Sequence, residues 1–277
     1  MNIETFIKNA LDEDLGDGDH TSLSTIPHDR EGVAELLVKQ EGVLAGVDIA
    51  VQVFKAVDPD TEIGVFIQDG EKIKPGDIVF RVSGKAVSLL KAERLALNFM
   101  QRMSGIATYT NYLVGLLEGL PTRLLDTRKT TPNFRYFEKE AVRIGGGLNH
   151  RMGLYDMIMI KDNHVDFAGG IVKAIDATNK YLTEKKLDLK IEIEVRNLNE
   201  LREVMAKGSV HRIMFDNFSI PDMKQAVDLV GGKYETEASG GITEGTLRDV
   251  AETGVDFISV GALTHQVRSL DLSLKAE

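Results

Sequence analysis

The residues best suited to chemistry fall in the second half of the chain, each just after a short strand-like run. Asp126-Thr127-Arg128-Lys129-Thr130-Thr131 follows RLL, Lys161-Asp162-Asn163-His164 follows IMI, and Glu194 closes KIEIE. Asp216-Asn217 ends RIMFDN, Ser239-Gly240-Gly241 follows YETEA, and Gly261 follows DFISV. In folds of alternating strand and helix, chemistry sits beyond the carboxyl ends of the strands. The cations come first in this series, the carboxylates next and the glycines last. Arg128, Lys129 and Lys161 suit carboxylate or phosphate groups, and an arginine can grip a carboxylate with two parallel bonds. Glu194 and Asp216 could hold Mg²⁺ directly or through water, bind sugar hydroxyls, or act as counter-ions to the basic residues. Ser239-Gly240-Gly241 precedes a helix-like stretch at 243–252, and Gly261 lies on the next strand-like run. Glycine loops after the last two strands form the usual phosphate site of such barrels, where backbone N–H groups and a helix amino terminus meet the anion.

A second string, GGGLNHRMG at 145–153, places His150 and Arg151 beside glycines that let a ligand come close. Both lie in 123–164, a segment holding eight basic residues against five acids in a chain of net charge −10. A basic island in an acidic protein suggests a pocket for a small anion. Arg135, Lys139 and Arg143, spaced four apart, read instead as one solvated helix face. The overall acidity argues against nucleic-acid and membrane-surface binding. No run approaches the ~18 apolar residues of a membrane span, and the acidic start MNIETFIKNALDEDLGDGD has no secretory pattern. The absence of cysteine excludes disulfides, thiolate metal sites and thiol nucleophiles, and fits a cytoplasmic protein.

The elements that must carry these residues are legible in outline. Residues 3–13 predict an amphipathic helix through Ile3, Phe6, Ile7, Ala10 and Leu11. The loop DEDLGDGDHTS fails the calcium-loop pattern and reads as a turn whose aspartates cap backbone. Short glycine-punctuated runs over 33–84 predict a small sheet. Its GEKIKPGDIVFRVSG resembles biotinyl- and lipoyl-type turns without their Met-Lys-Met hairpin. Residues 86–108 predict a long buried helix with Arg94 as an unexplained charge inside the apolar run. Beyond residue 120 six strand-like runs alternate with amphipathic segments such as 196–207, 221–230 and 243–253. That pattern predicts repeated strand–helix units with a parallel sheet, two strands short of a complete eight-stranded barrel.

Several strings together resemble the quinolinate phosphoribosyltransferase family: DTRKTTP at 126–132, GGGLNHRMGLYD at 145–156, IKDNH at 160–164, EIEV at 192–195, FDNF at 215–218, EASGGI at 237–242 and SVGALT at 259–264. EDLGDGD at 13–19, GVLAG at 42–46 and ERLALNFMQRMSGIAT at 93–108 extend the likeness over nearly the whole chain. Asn133 stands where the pattern suggests glycine, and asparagine tolerates the left-handed turn. The resemblance implies an α/β protein with an N-terminal open α/β sandwich domain over 1–108, joined by the tail 270–277, and a C-terminal incomplete (β/α) barrel over 109–269. It implies transfer of phosphoribosyl from phosphoribosyl pyrophosphate to quinolinate with loss of CO₂, giving nicotinate mononucleotide for NAD synthesis, with Mg²⁺ as cofactor. It also implies a homodimer, or a hexamer built from it, whose sandwich domain covers the neighbour's barrel mouth. Arg94 of the partner, Arg128, His150 and Arg151 would then take the quinolinate carboxylates. Lys129 and Lys161 would lie near the ring and the activated sugar, and Glu194 and Asp216 would serve ribose hydroxyls and Mg²⁺. Ser239, Gly240, Gly241 and Gly261 would hold the 5-phosphate. A nicotinate- or nicotinamide-using transferase is the nearest rival, and the size of the cation set favours the diacid. A ligand-binding paralogue would share the glycines but lose part of the Arg and Lys set, all of which is present.

Overall fold

The computed structural model describes residues 2–277. They form two compact units. One comprises the chain up to Asn111 with Thr131–Gly146 and Gln266–Glu277; the other is Tyr112–Thr130 with Gly147–His265. The second unit takes up most of the expected 109–269, while Thr131–Gly146 packs with the first. Thr131–Gly146 joins the first unit because Phe134 and Phe137 pack against Phe6 and Phe99, with ring centroids 4.8–6.1 Å apart.

In the first unit, helix α1 (Ile3–Leu15) starts where the Asn2 side chain accepts the Thr5 N–H at 3.1 Å, and it buries Ile7 and Leu11. The aspartate-rich loop ends as a cap: Asp19 accepts the Ser22 amide at 3.1 Å at the head of the next short helix. The serine bonds hold the Asp19 carboxyl below its usual range. Strands β1 (Glu31–Val38), β2 (Glu62–Val65) and β3 (Ile78–Lys85) join the last strand of the chain, Leu272–Ala276, in one antiparallel sheet. Its order is last strand–β1–β3–β2. Ala34, Leu36 and Val38 alternate inward along β1.

Helix α2 runs from Ala86 to Leu116, 31 residues, well past the predicted end at 108. Thr108, Tyr109 and Thr110 are indifferent helix formers, but Ile106, Ala107 and Leu113 are buried beside them, and packing overrides propensity. Arg94 lies on the exposed side of α2, while Ala92, Ala96 and Leu97 are buried. Helix α3 (Arg135–Ile144) departs from the solvated-face reading at its centre. Phe137, Glu138 and Lys139 are buried, and Arg143 alone of the three cations is exposed, paired with Glu140. The middle turn of α3 is enclosed by the unit, so one stripe is wet at one end and dry in the middle. The buried Glu138 accepts from Arg102 at 2.8 Å and from the Thr131 amide at 2.9 Å.

The second unit holds six parallel strands: β4 (Arg123–Leu125), β5 (Ile158–Ile160), β6 (Ile191–Val195), β7 (Arg212–Asp216), β8 (Glu235–Ser239) and β9 (Phe257–Ser259). Their order is β4-β9-β8-β7-β6-β5, so the last strand turns back to pair with the first, as in a barrel. Among the described residues no ladder joins β4 to β5; one parallel bridge, Leu125 to Leu148, extends the β4 edge. Helices α4 (Leu198–Lys207), α5 (Ile220–Val230) and α6 (Glu244–Ala251) connect successive strands. Ile191, Ile193, Ile213, Phe215 and Ala238 are buried on one side of these strands. The opposite side, by alternation, carries the polar residues.

Candidate active site

Period-two alternation puts Glu192 and Glu194 of β6 on one face, with Arg212, Met214 and Asp216 of β7 and Glu235, Glu237 and Ser239 of β8. The register aligns Glu192 with Arg212, Glu194 with Met214, Glu237 with Met214, and Ser239 with Asp216. Side-chain contacts divide this face into two groups. The tier at the carboxyl ends holds Lys161, Glu194, Asp216 and Ser239. Glu237 is level with Glu194 in the register, but its side chain meets Arg212 and His150, so the enclosed, deeper tier comprises Glu192, Arg212, Glu237 and His150.

In the upper tier, Lys161 Nζ donates to Glu194 Oε2 at 2.8 Å; the lysine is half exposed and the glutamate is buried. At the turn after β7, Asn217 adopts φ +54° and its side-chain amide donates to Asp216 Oδ2 at 2.9 Å. Asn217 also accounts for Gly240. A Cβ on Gly240 would lie 2.3 Å from Asn217 Oδ1, and the backbone there has φ +93°, followed by +62° at Gly241. The Ser239-Gly240-Gly241 turn is thus wrapped around a neighbouring loop and leads to α6, whose cap is the Thr243–Thr246 box.

Lys129 is fixed from two sides. Its carbonyl accepts the Thr264 hydroxyl at 2.7 Å, and its amide donates to Thr127 Oγ1 at 3.1 Å. Its stem lies over Gly261, where a Cβ would sit 3.0 Å from Lys129 Cδ. Gly261 therefore makes room for Lys129, a role that a phosphate-loop reading alone does not contain. Arg128 is exposed. Arg151 donates to the Met157 carbonyl at 3.2 Å and approaches the Met159 sulfur at 3.7 Å. Burial and the charge of Arg128 hold the Arg151 guanidinium below its usual range. No ion pair with a carboxylate forms at either arginine among the described residues.

His150 is placed differently from its neighbours. Its side chain is 5% exposed, and Nε2 lies 2.9 Å from Glu192 and 3.4 Å from Glu237, both fully buried. Nδ1 accepts the Arg151 amide at 2.7 Å. Nε2 of His150 thus faces two glutamates, and Nδ1 holds a backbone N–H. Among the described residues, the one group of three or more His and acid residues whose donor atoms all lie within 4.8 Å of one another is His150, Glu192 and Glu237. Arg94 belongs to the first unit.

Sequence reasoning missed Glu192, Arg212, Glu237 and Thr264 here, and gave Asp126 no role. Asp126 is buried and accepts the His150 amide at 2.8 Å and the Asn149 side chain at 2.7 Å, tying the DTRK loop to the NHR loop. A signal for the two glutamates was present. Acids at every second position of the strands IEIEV and ETEAS must share one face of each strand.

The chain matches two family models, quinolinate phosphoribosyl transferase N-terminal domain over 19–104 and C-terminal domain over 106–275. The chain belongs to the quinolinate phosphoribosyltransferase family. It is 46% identical over 286 residues to a tobacco quinolinate phosphoribosyltransferase [decarboxylating], covering 98% of this chain and 81% of that one. It is 40% identical over 274 residues to a probable nicotinate-nucleotide pyrophosphorylase [carboxylating] of Bacillus subtilis, covering 99% and 93%. The crystal structure of NadC from Streptococcus pyogenes superposes with a TM-score of 0.94 at 39% identity, covering 99% of this chain and 95% of that one. Human nicotinic acid phosphoribosyltransferase shares the fold, with a TM-score of 0.67 at 13% identity. Family membership makes this chain a pentosyltransferase of NAD biosynthesis.

Proposed function

We propose that the carboxyl-end tier of the second unit joins quinolinate to the ribosyl carbon of phosphoribosyl pyrophosphate and releases pyrophosphate and CO₂. The observation that carries this reading is the pair Arg128 and Arg151: two cations close enough to feel each other's charge, neither in an ion pair with a carboxylate among the described residues. A dianionic ring acid supplies what that pair lacks, and a monocarboxylate such as nicotinate would satisfy half of it. Arg94 of the partner subunit would complete the carboxylate set in a homodimer. That arrangement gives a role to a charge exposed on α2.

Lys129 and Lys161 face the ring and the leaving pyrophosphate. Ser239, Gly240 and Gly241 offer a turn and a helix start to the 5-phosphate, and Gly261 seats Lys129 beside it. Glu194 and Asp216 have the hard oxygen donors that suit Mg²⁺. Asp216, half exposed, is the better direct ligand, because the buried Glu194 already holds Lys161. When bound, Mg²⁺ neutralises charge on the departing pyrophosphate. The ring nitrogen is a weak nucleophile, so the sugar carbon gains cationic character before attack, and the protein's task is positioning and charge placement. Once ribosylated, the ring nitrogen is cationic. The electron pair left at C2 when CO₂ departs is stabilised by that adjacent charge, and C2 then takes a proton.

We place the protein in the cytoplasm, on its acidity and lack of cysteine; no described helix is long and apolar enough to cross a membrane. The test is substrate choice. Purified protein with phosphoribosyl pyrophosphate and Mg²⁺ should form nicotinate mononucleotide from quinolinate and none from nicotinate. Equal use of both acids would remove the diacid reading.

A further inference from the structure

We propose that Glu192 and Glu237 are positioning residues for diacid recognition, acting through His150 on Arg151. The inference rests on the function proposed above. The four charged members of the deeper tier are enclosed: Glu192 and Glu237 are 0% exposed and the side chains of His150 and Arg212 are 5% and 11% exposed. Arg212 Nη1 bonds Glu237 at 3.0 Å, and its other nitrogens bond Glu235 at 3.0 and 3.1 Å. The arginine plane also lies 4.1 Å from the centre of the Phe257 ring, which fixes it from the β9 side. Burying two carboxylates is costly unless charge and geometry are both matched, so an assembly of this kind needs a reason to persist.

Its geometry supplies one. His150 is the only member from outside the strands, and it is pulled inward by both glutamates. Asp126 holds its backbone amide from the other side. The histidine is thus pinned at backbone and ring, and its Nδ1 accepts the amide of the next residue, Arg151. The direction of the Arg151 backbone is set by a bond to a ring that the two carboxylates orient. With Nδ1 accepting that bond, the neutral ring carries its proton on Nε2, facing the glutamates. A cation held by His150, Glu192 and Glu237 would need Nε2 bare and would drive the proton onto Nδ1 against that amide. The group is therefore read as a charge network and not as a metal site.

The experiment is a double-mutant cycle on the full-length protein. Glu192→Gln keeps the shape and removes the charge. It should raise the KM for quinolinate roughly tenfold and that for phosphoribosyl pyrophosphate less than about twofold. In an Arg151→Ala background the same change should add less than about twofold, because its target is gone. Glu192→Asp, which keeps the charge, should recover part of the loss. Should Glu192→Gln not fold, Glu237→Gln serves the same cycle, since Arg212 retains Glu235. Additive effects of Glu192→Gln and Arg151→Ala, or equal loss for both substrates, would overturn the proposal. Failure of the wild type to turn over quinolinate would instead overturn the function on which it rests.

Discussion

Replacing Arg151 by alanine should damage quinolinate recognition more than any other single truncation in the second unit. Removing one charged partner from a buried, hydrogen-bonded contact costs about 2–5 kcal/mol. Arg151 is only half-buried, and its bonds in the absence of substrate are to a carbonyl and a thioether, so the loss belongs at the low end. About 2 kcal/mol is roughly a 30-fold rise in KM at 1.4 kcal/mol per decade. Arg151→Lys keeps charge but loses the two-pronged grip and should recover only part of it. Steady-state kinetics with quinolinate varied at saturating phosphoribosyl pyrophosphate gives the number. The Arg151 amide, which bonds His150, survives in both variants, so folding should be little affected and thermal denaturation should confirm it. A folded Arg151→Ala protein with an unchanged quinolinate KM would refute the reasoning.

Other outcomes follow from the same geometry. Gly240→Ala should weaken phosphoribosyl pyrophosphate binding and lower stability by about 1–3 kcal/mol, since the new methyl meets Asn217 and the backbone is left-handed; urea unfolding and the KM for that substrate measure both. Arg102→Ala leaves the buried Glu138 without its guanidinium and should cost about 3 kcal/mol in urea unfolding, with Glu138→Gln in the same background recovering much of it. Mg²⁺ removal by a chelator should abolish turnover reversibly, and Asp216→Asn should raise the Mg²⁺ concentration needed for half-maximal rate, measured by titrating the metal at fixed substrate. Mixing Arg94→Ala chains with Lys129→Ala chains should restore activity in heterodimers, because one composite site regains both groups; confirmed heterodimers without activity would count against a shared site.

The strand ends were readable because their polar residues interrupt runs that are otherwise apolar. Lys161, Glu194, Asp216 and Ser239 could each be placed from the position where a strand had to stop. The deeper tier was harder. Glu192 and Glu237 sit inside strands and look like solvated alternation until the strands are known to be buried on both faces, as parallel strands are. His150 read as a ligand because it neighbours Arg151 in a basic segment, and nothing local announces the two glutamates from distant strands that claim its ring. The packing of 131–146 with the first unit was hidden for a similar reason. RYFEKEAVR shows its charges along the sequence, whereas Phe6 and Phe99, which draw the segment into the first unit, lie far away in the chain. The end of α2 was misjudged because local propensity falls at 108–110 while burial continues. Local chemistry was legible; partners distant in sequence were not.

The most direct test of the account uses quinolinate labelled with ¹³C in the 2-carboxylate, incubated with the protein, phosphoribosyl pyrophosphate and Mg²⁺. The account predicts labelled CO₂, nicotinate mononucleotide and pyrophosphate released in equal amounts. Tight quinolinate binding without any of the three, or a mononucleotide that keeps the label, would contradict it.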